Sequence, residues 1–68
     1  MHNTIVLAPK TRILMGSELG MSPRLLTQKI REYKLDIPKG DILPKHQKLI
    51  YDLFGYPFHI QKEWYDHL

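Results

Sequence analysis

Ser22-Pro23, set just after Gly20, constrains this chain more than any other feature. A serine hydroxyl accepts a hydrogen bond from an orphan amide at a helix start, and proline fits the first helical position because its missing N–H has no partner there. Glycine takes the left-handed backbone that ends a helix at little cost. One helix therefore ends at Gly20 and another begins at Ser22. The stretch Gly16–Arg31 reads as a helix, a tight glycine turn and a second helix with polar and basic residues outward.

The first helix is expected from Thr11, as cap, through Arg12 to Leu19, with Ile13, Leu14, Met15 and Leu19 supplying apolar surface. The second runs to about Lys34. Leu25, Leu26, Ile30 and Tyr33 recur at helical spacing as its core face, and Arg24, Thr27, Gln28 and Arg31 take the opposite side. Two helices that cross steeply need a small residue at their contact and apolar residues to lock the pair, which Gly16, Met21, Leu26 and Ile30 provide beside Met15 and Leu19. Residues 35–43 form a connection around Pro38, Gly40 and Asp41, pinned by Leu35, Ile37 and Ile42. Pro44 opens a third helix over 44–54 with Leu49, Ile50, Leu53 and Phe54 inward, and Gly55-Tyr56-Pro57 stops it. Ile60, Trp64 and Leu68, spaced by four, suggest a short terminal helix over 60–67. Before all of these, residues 1–10 form an extended arm, since Thr4–Ala8 is rich in apolar and β-branched types and stops at Pro9. A single strand must pack on the helices, pair with a second copy or stay loose. The expected fold is one compact all-α domain over 1–68, with three to four helices including a helix-turn-helix over 11–34, preceded by that arm.

At 68 residues the chain supports one small core and little room for a buried active site. It has no cysteine, which excludes disulfides and thiolate metal sites. Its apolar runs are far shorter than the roughly 20 residues of a membrane span, and no signal-peptide pattern follows Met1. A soluble, cytoplasmic protein is expected. Net charge is +3, and the cations concentrate between Lys10 and Lys48, whereas the C-terminal part is mildly acidic. Such asymmetry suits a polyanion on one side of the molecule.

These features converge on the second helix. A major groove about 12 Å wide admits one α-helix, and the outward residues here have the chemistry to read it. Arg pairs with O6 and N7 of guanine and Gln with N6 and N7 of adenine, which makes Arg24 and Gln28 the base-reading candidates. Ser22 and Thr27, with the amides at the helix start, are phosphate candidates. Arg12, Lys29, Arg31 and Lys34 would add salt-sensitive attraction. The residues Leu19-Gly-Met-Ser-Pro-Arg-x-Leu26, with Thr27 and Ile30-Arg31, resemble the first helix-turn-helix of AraC-type bacterial transcription regulators and, more loosely, the MerR-type reading helix. The resemblance spans residues 12–31. It implies that glycine turn, serine cap and inward leucine are structural, and that Arg24, Thr27, Gln28 and Arg31 touch DNA. Gly16, Lys29 and Arg12 stand where that pattern usually has alanine, an apolar residue and leucine.

Other constellations point elsewhere. His2, His46, His59 and His67 are not spaced as ligands one helical turn apart, so no metal is expected. The carboxylates, Glu18 among them, are scattered over expected surfaces, and with no phosphate loop or Ser/His/Asp pattern the chain is expected to be neither an enzyme nor a binder of small-molecule substrates or cofactors. The aromatics of the last third are segregated from the cations, unlike those of a single-strand binder, and are expected in the core. An exposed aromatic patch is the alternative, making the chain a protein-interaction module with the helix-turn-helix as scaffold. For a DNA reader of this size, duplex DNA is the expected ligand and a second copy or protein partner supplies the second half-site.

Overall fold

The computed structural model describes residues 7–68. Three α-helices follow one another: α1 (Arg12–Leu19), α2 (Pro23–Glu32) and α3 (Pro44–Phe54), then a 3-10 turn at Lys62–Tyr65. The fold is all-α. Each helix starts as its local chemistry dictates. Thr11 Oγ1 accepts the Leu14 N–H at 3.0 Å, Ser22 Oγ accepts the Leu25 N–H at 3.1 Å, and Pro23 and Pro44 open α2 and α3.

The turn between α1 and α2 rests on two glycines. Gly20 adopts φ +73°, and the Gly20 and Met21 N–H groups close the end of α1 onto the carbonyls of Ser17 and Gly16. Gly16 is buried where the chain after the turn passes over α1. A Cβ there would lie 2.5 Å from the Met21 carbonyl oxygen, so alanine cannot be accommodated without moving backbone.

The core comprises Met15, Leu26, Ile30, Ile42, Ile50, Tyr51 and Tyr65, with Leu19, Met21, Leu35, Ile37, Phe54, Tyr56, Ile60 and Trp64 packed against it. Several expected core residues lie outside it. Ile13, Leu14, Leu25, Tyr33, Leu49, Leu53 and Leu68 are exposed. On α3 the inward stripe is Gln47, Ile50, Tyr51 and Phe54, shifted toward the side where the arm and the C-terminal turn pack. The terminal helix expected over 60–67 is only the 3-10 turn, and its buried residue is Tyr65. Residues 1–6, with most of the expected extended segment, lie outside the described residues. Residues 7–9 are not part of a strand, and Lys10 makes one antiparallel bridge with Ile42.

Two buried polar groups hold these pieces together. Gln47 donates from Nε2 to the carbonyls of Ala8 and Ile42, both at 2.8 Å, and accepts the Tyr65 hydroxyl at 2.7 Å. Glu18, expected at the surface, has a side chain only 8% exposed. It accepts from Lys10 Nζ at 2.9 Å and from the Tyr51 hydroxyl, with His59 Nε2 at 3.5 Å. Burial by itself raises the Glu18 carboxyl. The bonds from Tyr51 and Lys10, the Lys10 charge and the His59 contact outweigh it and hold the group below its ordinary 4.5. Burial and the Glu18 bond push the Tyr51 hydroxyl well above its ordinary 10.0.

Gly16→Ala is expected to destabilise the domain by about 1–3 kcal/mol despite alanine's better helix propensity, read as a lowered urea midpoint. An unchanged midpoint would mean that the Met21 backbone yields freely. A carboxyl held below its ordinary value stabilises the fold above the unfolded pKa, and this contribution is lost as pH falls through the folded one. The urea midpoint should therefore drop below pH 4.5 more steeply in the wild type than in Glu18→Gln, and parallel curves would remove Glu18 from acid stability. The raised Tyr51 hydroxyl has the opposite sign, so its contribution is complete below pH 10.0 and declines above it.

Candidate nucleic-acid interface

Residues three and four apart share one face of a helix, and on α2 this rule brings Arg24, Thr27, Gln28 and Arg31 together. With Pro23 they line a shallow open depression on the side away from Leu26 and Ile30. Arg24, Gln28 and Arg31 are exposed and Thr27 is half-buried. Among the described residues neither Arg24 nor Arg31 has an ion-pair partner. Gln28 donates to Glu32 at 3.1 Å, so that carboxylate holds the amide at the rim of the face.

The remaining sequence-expected residues divide. Ser22 serves as the α2 cap, accepting the Leu25 N–H while its own proton stays available to an acceptor. Pro23 has no N–H and Leu25 is capped, which leaves the Arg24 N–H at the positive end of the helix dipole. Lys29 lies on the flank nearer the core, 3.6 Å from Glu32, and is not on the face with Arg24 and Arg31. Arg12 is half-buried and spent on internal contacts: one guanidinium N–H points to Thr27 Oγ1 at 3.5 Å and another donates to the Pro38 carbonyl at 3.0 Å. By sequence Arg12 reads as a free cation. No local pattern could show that its acceptors come from α2 and from the following loop.

Lys34 is exposed at the end of α2, and α2 ends as α1 does. The Lys34 and Leu35 N–H groups close onto the carbonyls of Arg31 and Ile30, with Lys34 at φ +54°. The position that is glycine in α1 is therefore lysine in α2. A left-handed residue with a Cβ costs roughly 1–2 kcal/mol, so lysine holds this turn at a cost that glycine would avoid.

Among the described residues no group of three metal-ligating side chains comes together and no helix is long and apolar enough to cross a membrane. No protein-family model, curated protein or solved structure matches the chain. The resemblance to AraC-type regulators rests on the sequence of residues 12–31 alone.

Lys34→Gly should raise stability by about 0.5–1 kcal/mol, the relief of backbone strain less glycine's extra unfolded-state entropy. A thermal melt reads it as a gain of a few degrees in a domain of this size. A lowered midpoint would show that the lysine side chain is itself structural.

Proposed function

We propose that this chain is a sequence-preferring duplex DNA-binding protein, a small transcription regulator of bacterial or mobile-element type, which reads the major groove with α2. The observation that carries this reading is the Arg24, Thr27, Gln28 and Arg31 face. Four side chains suited to bases and phosphates share one side of one exposed helix, and its two arginines have no ion-pair partner among the described residues.

The mechanism follows from helix geometry. Arg24 and Gln28 are separated by one turn, a rise of about 6 Å, while stacked bases on one strand are about 3.4 Å apart. The two side chains therefore reach bases one or two steps apart. Arg24 donates two parallel hydrogen bonds to O6 and N7 of guanine. Gln28 leaves Glu32 and pairs with N6 and N7 of adenine. Ser22, the Arg24 N–H and Thr27 hold a phosphate, and Arg31 and Lys34 add attraction without sequence preference. Chemistry on the DNA is no part of this reading. One α2 reads one half-site, so a second copy of the chain or a partner protein supplies the other.

A second reading has one observation in its favour. Phe58 is 100% exposed, whereas Tyr51 and Tyr65 are buried, and a bare aromatic ring is an anchor for a partner protein. On that reading the helix-turn-helix is scaffold.

Titration of the amide-labelled protein with mixed-sequence duplex at low and moderate salt separates the two. DNA reading by α2 gives salt-sensitive shifts centred on Ser22–Arg31. Arg24→Ala and Gln28→Ala should each then lose about 1–3 kcal/mol of discrimination at one base position, with unchanged melting. Silent α2 resonances at about 100 μM of each component, where even non-specific binding registers, would overturn the DNA reading in favour of the interaction module.

A further inference from the structure

The Arg12 guanidinium touches both the reading face and the loop that follows it. Its two donors reach Thr27 Oγ1 on α2 and the carbonyl of Pro38, at 3.5 and 3.0 Å. Thr27 and Pro38 are thus held a single guanidinium apart. The loop is fastened on both sides of that point. Leu35 and Ile37 pack on the core, the Leu35 N–H goes to the Ile30 carbonyl, and Ile42 is buried and paired in both directions with the Lys10 backbone. Between the clamped Pro38 carbonyl and buried Ile42, Lys39-Gly40-Asp41 is exposed throughout. Gly40 takes φ +97°. Lys39, directly after the clamped carbonyl, has no ion-pair partner among the described residues.

We propose that this loop is a second DNA-contacting element, in which Lys39 binds a backbone phosphate beside the groove that α2 enters, with Arg12 as the residue that positions it. The inference rests on the reading of α2 as the DNA-facing helix. A duplex against Arg24, Thr27 and Gln28 brings its sugar-phosphate strand past the edge of that face, and Arg12 fixes what stands at the edge beyond Thr27. A lysine on a free loop would give up conformational entropy to meet the phosphate. Here the backbone next to it is already fixed, so only its own side chain must be ordered. The Arg12 role also accounts for arginine at that position. Lysine keeps the charge, but its single ammonium lacks the planar fork that spans two acceptors.

The test is the salt dependence of binding, measured by fluorescence anisotropy on a mixed-sequence duplex of about two helical turns, between roughly 50 and 200 mM salt. Each phosphate contact contributes about 0.9 to the slope of log K against log salt, or a three- to fourfold change in affinity across that range. Lys39→Gln is expected to lower the slope by about that amount, uniformly across sequences. Arg12→Lys should lose a similar share although its charge is kept, and the double variant should lose no more than either alone. Arg12 acting only in folding would shift the melt and leave the slope untouched, which makes the slope the deciding readout. An unchanged slope for Lys39→Gln, in a wild type that binds with clear salt dependence, overturns the loop contact alone. Additive losses for the pair overturn the positioning role of Arg12. Absence of salt-dependent binding by the wild type overturns the reading of α2, and the loop contact with it.

Discussion

The Gln47 side chain amide is the interaction on which the rest of the domain depends. It is fully buried on α3, and each of its bonds goes to a different part of the chain: the arm at Ala8, the end of the loop at Ile42 and the C-terminal turn at Tyr65. None of these segments belongs to an α-helix, so none can hold its place by helical hydrogen bonding. A domain of this size buries too little apolar surface to fix such segments by packing alone. A buried polar group left without a partner costs about 1–3 kcal/mol, so arm, loop and turn are held to one arrangement by what each would lose elsewhere. The second polar centre, Glu18 with Lys10 and Tyr51, extends this to α1. Lys10 connects the two centres, since its ammonium meets Glu18 while its backbone pairs with Ile42.

The parts of the fold legible in the sequence are those determined within a few residues. Thr11, Gly20, Ser22-Pro23 and Pro44 place the helix boundaries because capping is a local reaction between a side chain and the nearest orphan amide or carbonyl. The inward face of each helix was less legible. Leu49, Ile50, Leu53 and Phe54 have the right spacing for a core stripe on α3, and so do Gln47, Ile50, Tyr51 and Phe54. Periodicity admits both and hydrophobicity favours the first, of which Ile50 and Phe54 turn inward and Leu49 and Leu53 do not. The choice is made by what packs against α3, namely the arm and the C-terminal turn, whose contacts span up to 41 residues of sequence. Glu18 was misplaced for the same reason. Its partners Lys10 and Tyr51 come from either side of it in the chain, and nothing near Glu18 in sequence signals burial.

The candidate site divides along the same line. Arg24, Thr27, Gln28 and Arg31 were legible because a spacing of three and four guarantees a shared face once the helix exists. Lys29, one residue from Gln28, turns to the flank and finds Glu32. Arg12 could not be read, since its acceptors lie 15 and 26 residues away. What looked like one more cation for a polyanion is a brace between two elements.

Stability and the proposed recognition are therefore carried by almost separate sets of residues. The core and its two polar centres lie on one side of α2, reached through Leu26 and Ile30, and the basic face lies on the other, joined to the rest through Thr27 and Arg12. Only two features cross between them. Arg12 uses its guanidinium to set loop against helix, and Lys34 holds a left-handed backbone that glycine would hold more cheaply. Neither improves the core: the first spends a cation on geometry and the second spends geometry on a cation. Arg12 reaches the α2 face through Thr27 and Lys34 follows its end, so on the proposed DNA-reading role both would help to fix and charge the surroundings of that face.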